Sequence, residues 1–140
     1  MTDPTEPTAT DGASAQGGSP RRALAMGILG AWVGTIVYLI LAIGFSFSAG
    51  LIVVAVFTGR FIGLFVRAGA AGSLSSPARV TLAVVIFLAS MAISILATWL
   101  AAGMEGGVLP IGQYLDEAYG TPLISLEFML GTLMAWWSAR

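Results

Sequence analysis

Two charged residues inside otherwise apolar stretches are the first candidates for chemistry in this sequence. Arg60 lies in the apolar run that ends at Arg67, and Glu127 is the only carboxylate in the last apolar run. A charged side chain at the centre of a bilayer costs about 2.5–3.5 kcal/mol on insertion scales, and such residues mark ion paths, relays or buried pairs. Arg60 and Glu127 are therefore the candidate intramembrane polar residues.

Each of these two residues has an alternative role. Arg60 is seven residues from Arg67, which is about 10 Å along a helix. Its guanidinium can therefore reach the membrane interface. The alternative is that it faces a bundle interior, a lipid phosphate or a transport path. Glu127 lies about 1.5 turns into its predicted helix, either seeking the nearby headgroups or pairing with Arg60 inside a compact bundle. If the two were paired, each single alanine substitution would be worse than the double substitution, because it would strand the other charge.

Other chemistry is sparsely represented. Asp116 and Glu117 form an adjacent acidic pair, which either binds a cation or forms the solvated face of a helix. The sequence contains no Cys, His or Lys, which excludes disulfides, thiol nucleophiles, Schiff bases and nearly every zinc site. The residues predict no metal site, no cofactor and no enzymatic activity.

Composition determines which elements must position these residues. Hydrophobic residues make up 57% of the 140 positions and charged residues only 9%, against about 25% charged in soluble domains. Because a span needs about 20 apolar residues, we predict an all-α polytopic membrane protein: a disordered cytoplasmic tail over residues 1–22, then a transmembrane domain over residues 23–140. The four predicted spans are about 24–43, 50–67, 80–101 and 122–138.

The segment between the third and fourth spans predicts a short amphipathic helix on the outer surface. Apolar residues recur there with helical spacing, at Ile111, Tyr114, Leu115, Ala118 and Tyr119. Gln113 and the Asp116–Glu117 pair fall on the other face. Helix starts are further predicted where a hydroxyl residue precedes proline, at Ser19-Pro20, Ser76-Pro77 and Thr121-Pro122.

The distribution of positive charge predicts the topology. All six basic residues are arginines, and all fall on one side of the four predicted spans: Arg21, Arg22, Arg60, Arg67, Arg79 and Arg140. Positive residues mark the cytoplasmic side, so both termini are predicted to be cytoplasmic. Together with the abundance of Ala and Gly, the exclusive use of arginine suggests a bacterial inner membrane protein. Because topology explains the basic residues, we predict no nucleic-acid partner.

Small residues at helical spacing predict close helix packing. The candidate packing positions are Gly30, Gly34, Gly59, Gly63, Ser90, Ser94 and Gly131. Helices associate in lipid through close backbone approach, which small residues permit. These positions pack either within one chain or at the seam of an oligomer. Trp32 is expected to be a buried aromatic that fills space against glycine.

The order of these features resembles that of small uncharacterised bacterial inner-membrane proteins. The resemblance covers residues 23–140 and rests on the G-R-x-x-G-x-x-x-R pattern that ends at Arg67, the loop Glu105-Gly106-Gly107-Val108-Leu109, and the pair Tyr114-Leu115 before a short last helix. It implies no particular activity. The leading hypothesis is therefore a helix-packing accessory or assembly subunit, with the bilayer and a membrane-protein partner or a second copy as its contacts. The alternative is an oligomeric solute or ion translocator that uses Arg60 and Glu127.

Overall fold

The computed structural model describes residues 17–45, 48–104, 106, 109–118 and 120–140. In these ranges the chain forms five helices: α1 (Pro20–Phe45), α2 (Ser48–Ala70), α3 (Ser76–Met104), α4 (Ile111–Ala118) and α5 (Thr121–Ala139). The predicted all-helical fold is confirmed. Residues 1–16 of the predicted tail lie outside the described residues, as do Glu105, Gly107, Val108 and Tyr119.

Three of the helices are long and apolar enough to cross a membrane, over Pro20–Ile43, Gly50–Ala70 and Ser76–Met104. The helices extend beyond the predicted spans, and α1 already begins at Pro20, so Arg21 and Arg22 belong to this helix and not to the tail. Helix α3 reaches 29 residues, more than the ~20 needed to span a bilayer, because backbone hydrogen bonding continues beyond the apolar core. Helix α5 has 19 residues and packs into the same bundle.

Helix α2 lies at the centre of the bundle, with α1 on one side and α5 on the other. Helices α2 and α5 run parallel, since Gly59 lies against Gly131 and Gly63 against Ala135. Helix α1 runs antiparallel to α2, and Gly69 accordingly lies against Ala23. The N-terminal ends of α1 and α3 therefore meet the C-terminal ends of α2 and α5 at one end of the bundle.

Local sequence explains where some of these helices begin. At the start of α1 the Ser19 hydroxyl accepts a hydrogen bond from the Arg22 amide at 3.1 Å, and Pro20 occupies the first helical position without an amide to satisfy. The start of α5 differs from the prediction. Its N-cap is Gly120 with φ of 67°, and no side chain caps it. Glycine adopts this left-handed backbone conformation without steric cost.

The segment before α5 is held against the bundle. The Trp99 indole of α3 donates a hydrogen bond to the Leu109 carbonyl at 3.0 Å. In α4, Tyr114 and Leu115 pack against the core while Asp116 and Glu117 are exposed. The short helix thus has one face toward protein and one away from it, as its spacing requires.

Candidate functional site

Glu127 is the most deeply buried charged residue among those described. It lies on α5, and its side chain is only 1% exposed. The parallel register that sets Gly59 against Gly131 places Ala55 of α2 beside Glu127 one turn earlier, where the small Ala55 side chain leaves room for the carboxyl. The Tyr38 phenol of α1, itself 2% exposed, lies beside this carboxyl and interacts with it.

The surroundings of Glu127 determine what it can do. Its Oε1 atom is buried and makes no hydrogen bond within the described part of the chain. A buried carboxyl in an apolar helix bundle is costly and is commonly part of a proton or ion site. With the phenol of Tyr38 beside it, Glu127 has the chemistry to hold a proton inside the bundle.

Arg60 and Glu127 are not brought together. Arg60 is exposed on the outer face of α2, whereas Glu127 points into the bundle, where its polar neighbour is Tyr38 and not arginine. The alternative of an Arg60–Glu127 pair is therefore wrong, and so is that of a glutamate seeking the headgroups. The two side chains leave their helices on different faces, which the position of each residue along its helix does not indicate.

Arg60 instead belongs to an arginine groove at one end of the bundle, defined by Arg60, Leu64, Arg67, Trp136, Trp137, Ser138 and Arg140. The Arg140 guanidinium stacks over the Trp136 ring, 3.5 Å from its centroid. Arg79 of α3 donates from Nη2 to the backbone oxygen of Arg140 at 3.2 Å. Arginines that are distant in sequence thus meet where the helix ends converge.

The acidic pair Asp116–Glu117 stays on the exposed face of α4. Among the described residues, no three His, Cys, Asp or Glu side chains lie close enough to hold a metal ion. The adjacent carboxylates therefore stand apart from both Glu127 and the arginine groove.

The small residues of α2 and α5 form a closed contact that we call the glycine seam, made of Gly59, Gly63, Gly131 and Ala135. A Cβ on Gly59 would lie 3.0 Å from the Gly131 carbonyl carbon and closer still to its oxygen. A Cβ on Gly63 would lie 2.7 Å from the Ala135 carbonyl oxygen. Backbone here touches backbone, so there is no room for a side chain.

The other predicted packing residues also face neighbouring helices. Gly30 lies against Phe65 and Ile62 of α2, and Gly34 against Thr58. The Ser90 hydroxyl shares a 2.9 Å hydrogen bond with that of Thr35, and the Ser94 hydroxyl donates to the Ser90 carbonyl at 2.9 Å. Each of these residues therefore makes its contact within one chain.

Between α1 and α3 the packing stays open and leaves what we call the α1–α3 groove, with a volume of about 520 Å³. Its floor is made of small residues, Ala31 and Thr35 from α1 with Ala89 and Ser90 from α3. Trp32 stands on its rim and is 67% exposed. The expectation of a buried Trp32 is therefore wrong, because the glycine face of α1 turns toward α2 and carries its neighbour Trp32 outward.

Two residues that contribute to these contacts were not among the candidates named from the sequence. They are Tyr38 and Thr35. The signal for Tyr38 was its spacing, since it continues the buried face Gly27, Gly30, Gly34 by one further turn. Thr35 shares a small-x-x-x-small spacing with Ala31, but this spacing does not indicate which residue Thr35 contacts. Its role depends on Ser90, 55 residues away in the chain.

Comparison with known proteins gave no relative of this chain. The suggested resemblance to small bacterial inner-membrane proteins stays a prediction. The chain matches no protein-family model, and neither the curated proteins nor the solved structures gave a significant match.

Proposed function

We propose that this chain is a four-span protein of a bacterial inner membrane that acts as a helix-packing accessory subunit of a larger complex. Helix α5 would be the fourth span, since it packs alongside α2 over most of its length. The arginine-bearing helix ends would face the cytoplasm, as positive residues do. Helix α4 would then lie at the outer surface with its exposed acidic residues toward water.

The α1–α3 groove is the observation that carries this proposal. Its floor has the small-x-x-x-small spacing of Ala31 and Thr35, and the small Ala89 and Ser90 oppose them. Helices approach each other closely in lipid where such residues line the contact. Ala31, Thr35 and Ala89 keep part of their surface open on the membrane side, whereas the glycines at positions 30 and 34 are buried against α2.

Trp32 supports a transmembrane helix of a partner protein as the occupant of the α1–α3 groove. Tryptophan prefers the membrane interface, yet Trp32 is 67% exposed near the middle of the apolar run of α1. A transmembrane helix of a partner protein, seated in the groove, would cover one face of the indole. The contact would be van der Waals packing, which drives helix association in lipid.

The first test is purification of a tagged copy from its native membrane in mild detergent, followed by native mass spectrometry and protein identification. We expect one membrane protein at a fixed ratio to this chain. A homogeneous complex that contains only copies of this chain, or a bare monomer, would overturn the proposal.

Matched substitutions on α3 then locate the contact. Ala89 lines the groove, whereas Ala92, three residues further, is equally exposed but does not line it. Ala89→Leu fills the floor and is expected to remove the partner, and Ala92→Leu is expected to retain it. Equal retention by both variants would place the partner elsewhere on the chain.

A second candidate function, proton or ion translocation, is favoured by the burial of Glu127 beside Tyr38. Translocation needs a site that changes its protonation or occupancy inside the membrane. The translocation function predicts flux into proteoliposomes that contain a pH-sensitive dye. Glu127→Gln should abolish this flux, and Glu117→Gln should leave it unchanged. Absence of flux from the unaltered protein would refute it.

A further inference from the structure

We infer that the arginine groove binds the phosphate of an anionic phospholipid. The groove lies between the C-terminal ends of α2 and α5 and has a volume of about 460 Å³. This falls within the range of small-molecule sites, about 300–1,000 Å³. Three guanidinium groups line it, from Arg60, Arg67 and Arg140.

No Asp or Glu side chain neutralises the positive charge of the groove. Within the described residues none lines it, and neither the Arg60 nor the Arg67 guanidinium makes a hydrogen bond or ion pair. The described acidic residues lie elsewhere, Asp116 and Glu117 on α4 and Glu127 inside the bundle. Arg79 lies beside the groove and is tied to it by its hydrogen bond to the main-chain oxygen of Arg140. Guanidinium groups gathered in this way, without a carboxylate side chain facing them, attract an anion.

Guanidinium geometry favours phosphate as that anion. Arginine presents a planar fork of donors that binds two phosphate oxygens at once. The stack of Arg140 on Trp136 at 3.5 Å orients one fork at the α5 side of the groove. Arg60 and Arg67 approach from α2 on the opposite wall.

The apolar parts of the groove favour a lipid over a soluble anion. Leu64 lies between the two α2 arginines, and Trp137 is 69% exposed. Arg60 lies about 10 Å deeper along α2 than Arg67, in a helix apolar enough to cross a membrane. A bound headgroup would thus place its phosphate among the arginines and its acyl chains against Leu64 and Trp137.

The test uses the full chain in nanodiscs of equal parts phosphatidylglycerol and phosphatidylcholine, with retained lipids counted by native mass spectrometry. We expect the unaltered protein to retain phosphatidylglycerol preferentially. Each groove arginine should contribute about fivefold to this preference. Arg60→Gln with Arg67→Gln should therefore lower the preference about 25-fold.

The matched control is Arg21→Gln with Arg22→Gln, which removes the same charge from exposed positions at the same end of the bundle. This control should keep most of the preference. Equal losses in the two double variants would indicate general surface attraction and overturn the inference, as would an unaltered protein without preference. If the groove variant does not purify, Arg140→Gln tests the opposite wall by the same measurement.

A competition experiment distinguishes the two sources of phosphate. Inorganic phosphate is added to the same nanodiscs at millimolar concentration. Continued retention of phosphatidylglycerol supports a lipid site. Displacement of the lipid by inorganic phosphate would instead assign the groove to a soluble anion and overturn the lipid assignment.

Discussion

The glycine seam and the α1–α3 groove are both built from small residues, yet the first is closed and the second is open. In the seam, Gly59 opposes Gly131 and backbone meets backbone. In the groove, Thr35 and Ser90 oppose each other, and their hydroxyls set the separation through a 2.9 Å hydrogen bond. The comparison teaches that small-residue spacing permits close approach, but the residue on the facing helix decides whether it happens.

The largest effect is expected for Gly59→Ala. The added methyl would overlap the Gly131 carbonyl, and a backbone atom cannot move aside as a flexible side chain does. We expect a loss of about 3 kcal/mol in the free energy of unfolding, at the upper end of overpacking costs. Thermal unfolding in detergent measures it.

The control for this prediction is Gly103→Ala, because nothing lies within 4 Å of a Cβ built on Gly103. This variant should unfold at the same temperature as the original chain or slightly above it, because alanine favours the helix more than glycine does. If Gly59→Ala were equally harmless, the seam would not be closed and the comparison would fail.

The next effect concerns the polar residue beside the seam. Glu127→Ala leaves a cavity at a site that is 1% exposed and removes the polar neighbour of the Tyr38 hydroxyl. We expect a loss of about 2 kcal/mol in the free energy of unfolding. The exposed Glu117→Ala serves as control and should leave the unfolding curve unchanged. Equal effects of the two substitutions would contradict the burial of Glu127.

A smaller effect is expected in the open groove. Thr35→Val keeps the shape of the side chain but removes its hydrogen bond to Ser90. Hydrogen bonds between helices in membrane proteins contribute about 0.6 kcal/mol on average, and we expect a loss of that size in chemical unfolding. Thr81→Val, at an exposed position of α3, is the control. A loss as large as that of Gly59→Ala would mean that the groove is held as tightly as the seam.

The smallest effect is the coupling between Arg60 and Glu127. Since one lies outside the bundle and the other inside, the stability losses of Arg60→Ala and Glu127→Ala should add to within about 0.5 kcal/mol in the double variant. Unfolding of the two single variants and the double variant completes the cycle. A double variant more stable than either single variant would indicate that Arg60 and Glu127 form an ion pair in the original chain, against the geometry described above.

Much of the helical framework follows from local patterns. Apolar runs identified the three membrane-length helices, and the Ser19-Pro20 pair marked the start of α1 because capping acts over one turn. The start of α5 shows the limit of this approach. There Gly120 is the N-cap, and its left-handed backbone conformation is invisible in a hydroxyl–proline pattern.

The candidate site was harder to predict because it depends on the rotation of each helix about its own axis. A helix apolar on all sides has no sequence signal for which face is inside. Trp32 was therefore assigned to the interior and lies outside, and Arg60 was considered as a partner for Glu127 and lies on another face. Tyr38 could have been found from its spacing after Gly34, had the glycine face been taken as the buried face.

The sequence by itself determined that the chain is helical and that it carries no Cys, His or Lys chemistry. It predicted four spans, and three of the described helices are long and apolar enough to cross a membrane. These follow from composition and from interactions within one helix. Only the tertiary structure decided that Glu127 meets Tyr38, that three arginines share one groove, and that the α1–α3 groove stays open beside Ala31 and Thr35 while Gly59 is closed against Gly131. The physical reason is that burial between helices in an apolar solvent depends on steric fit between facing surfaces, and that fit exists only once the helices are assembled.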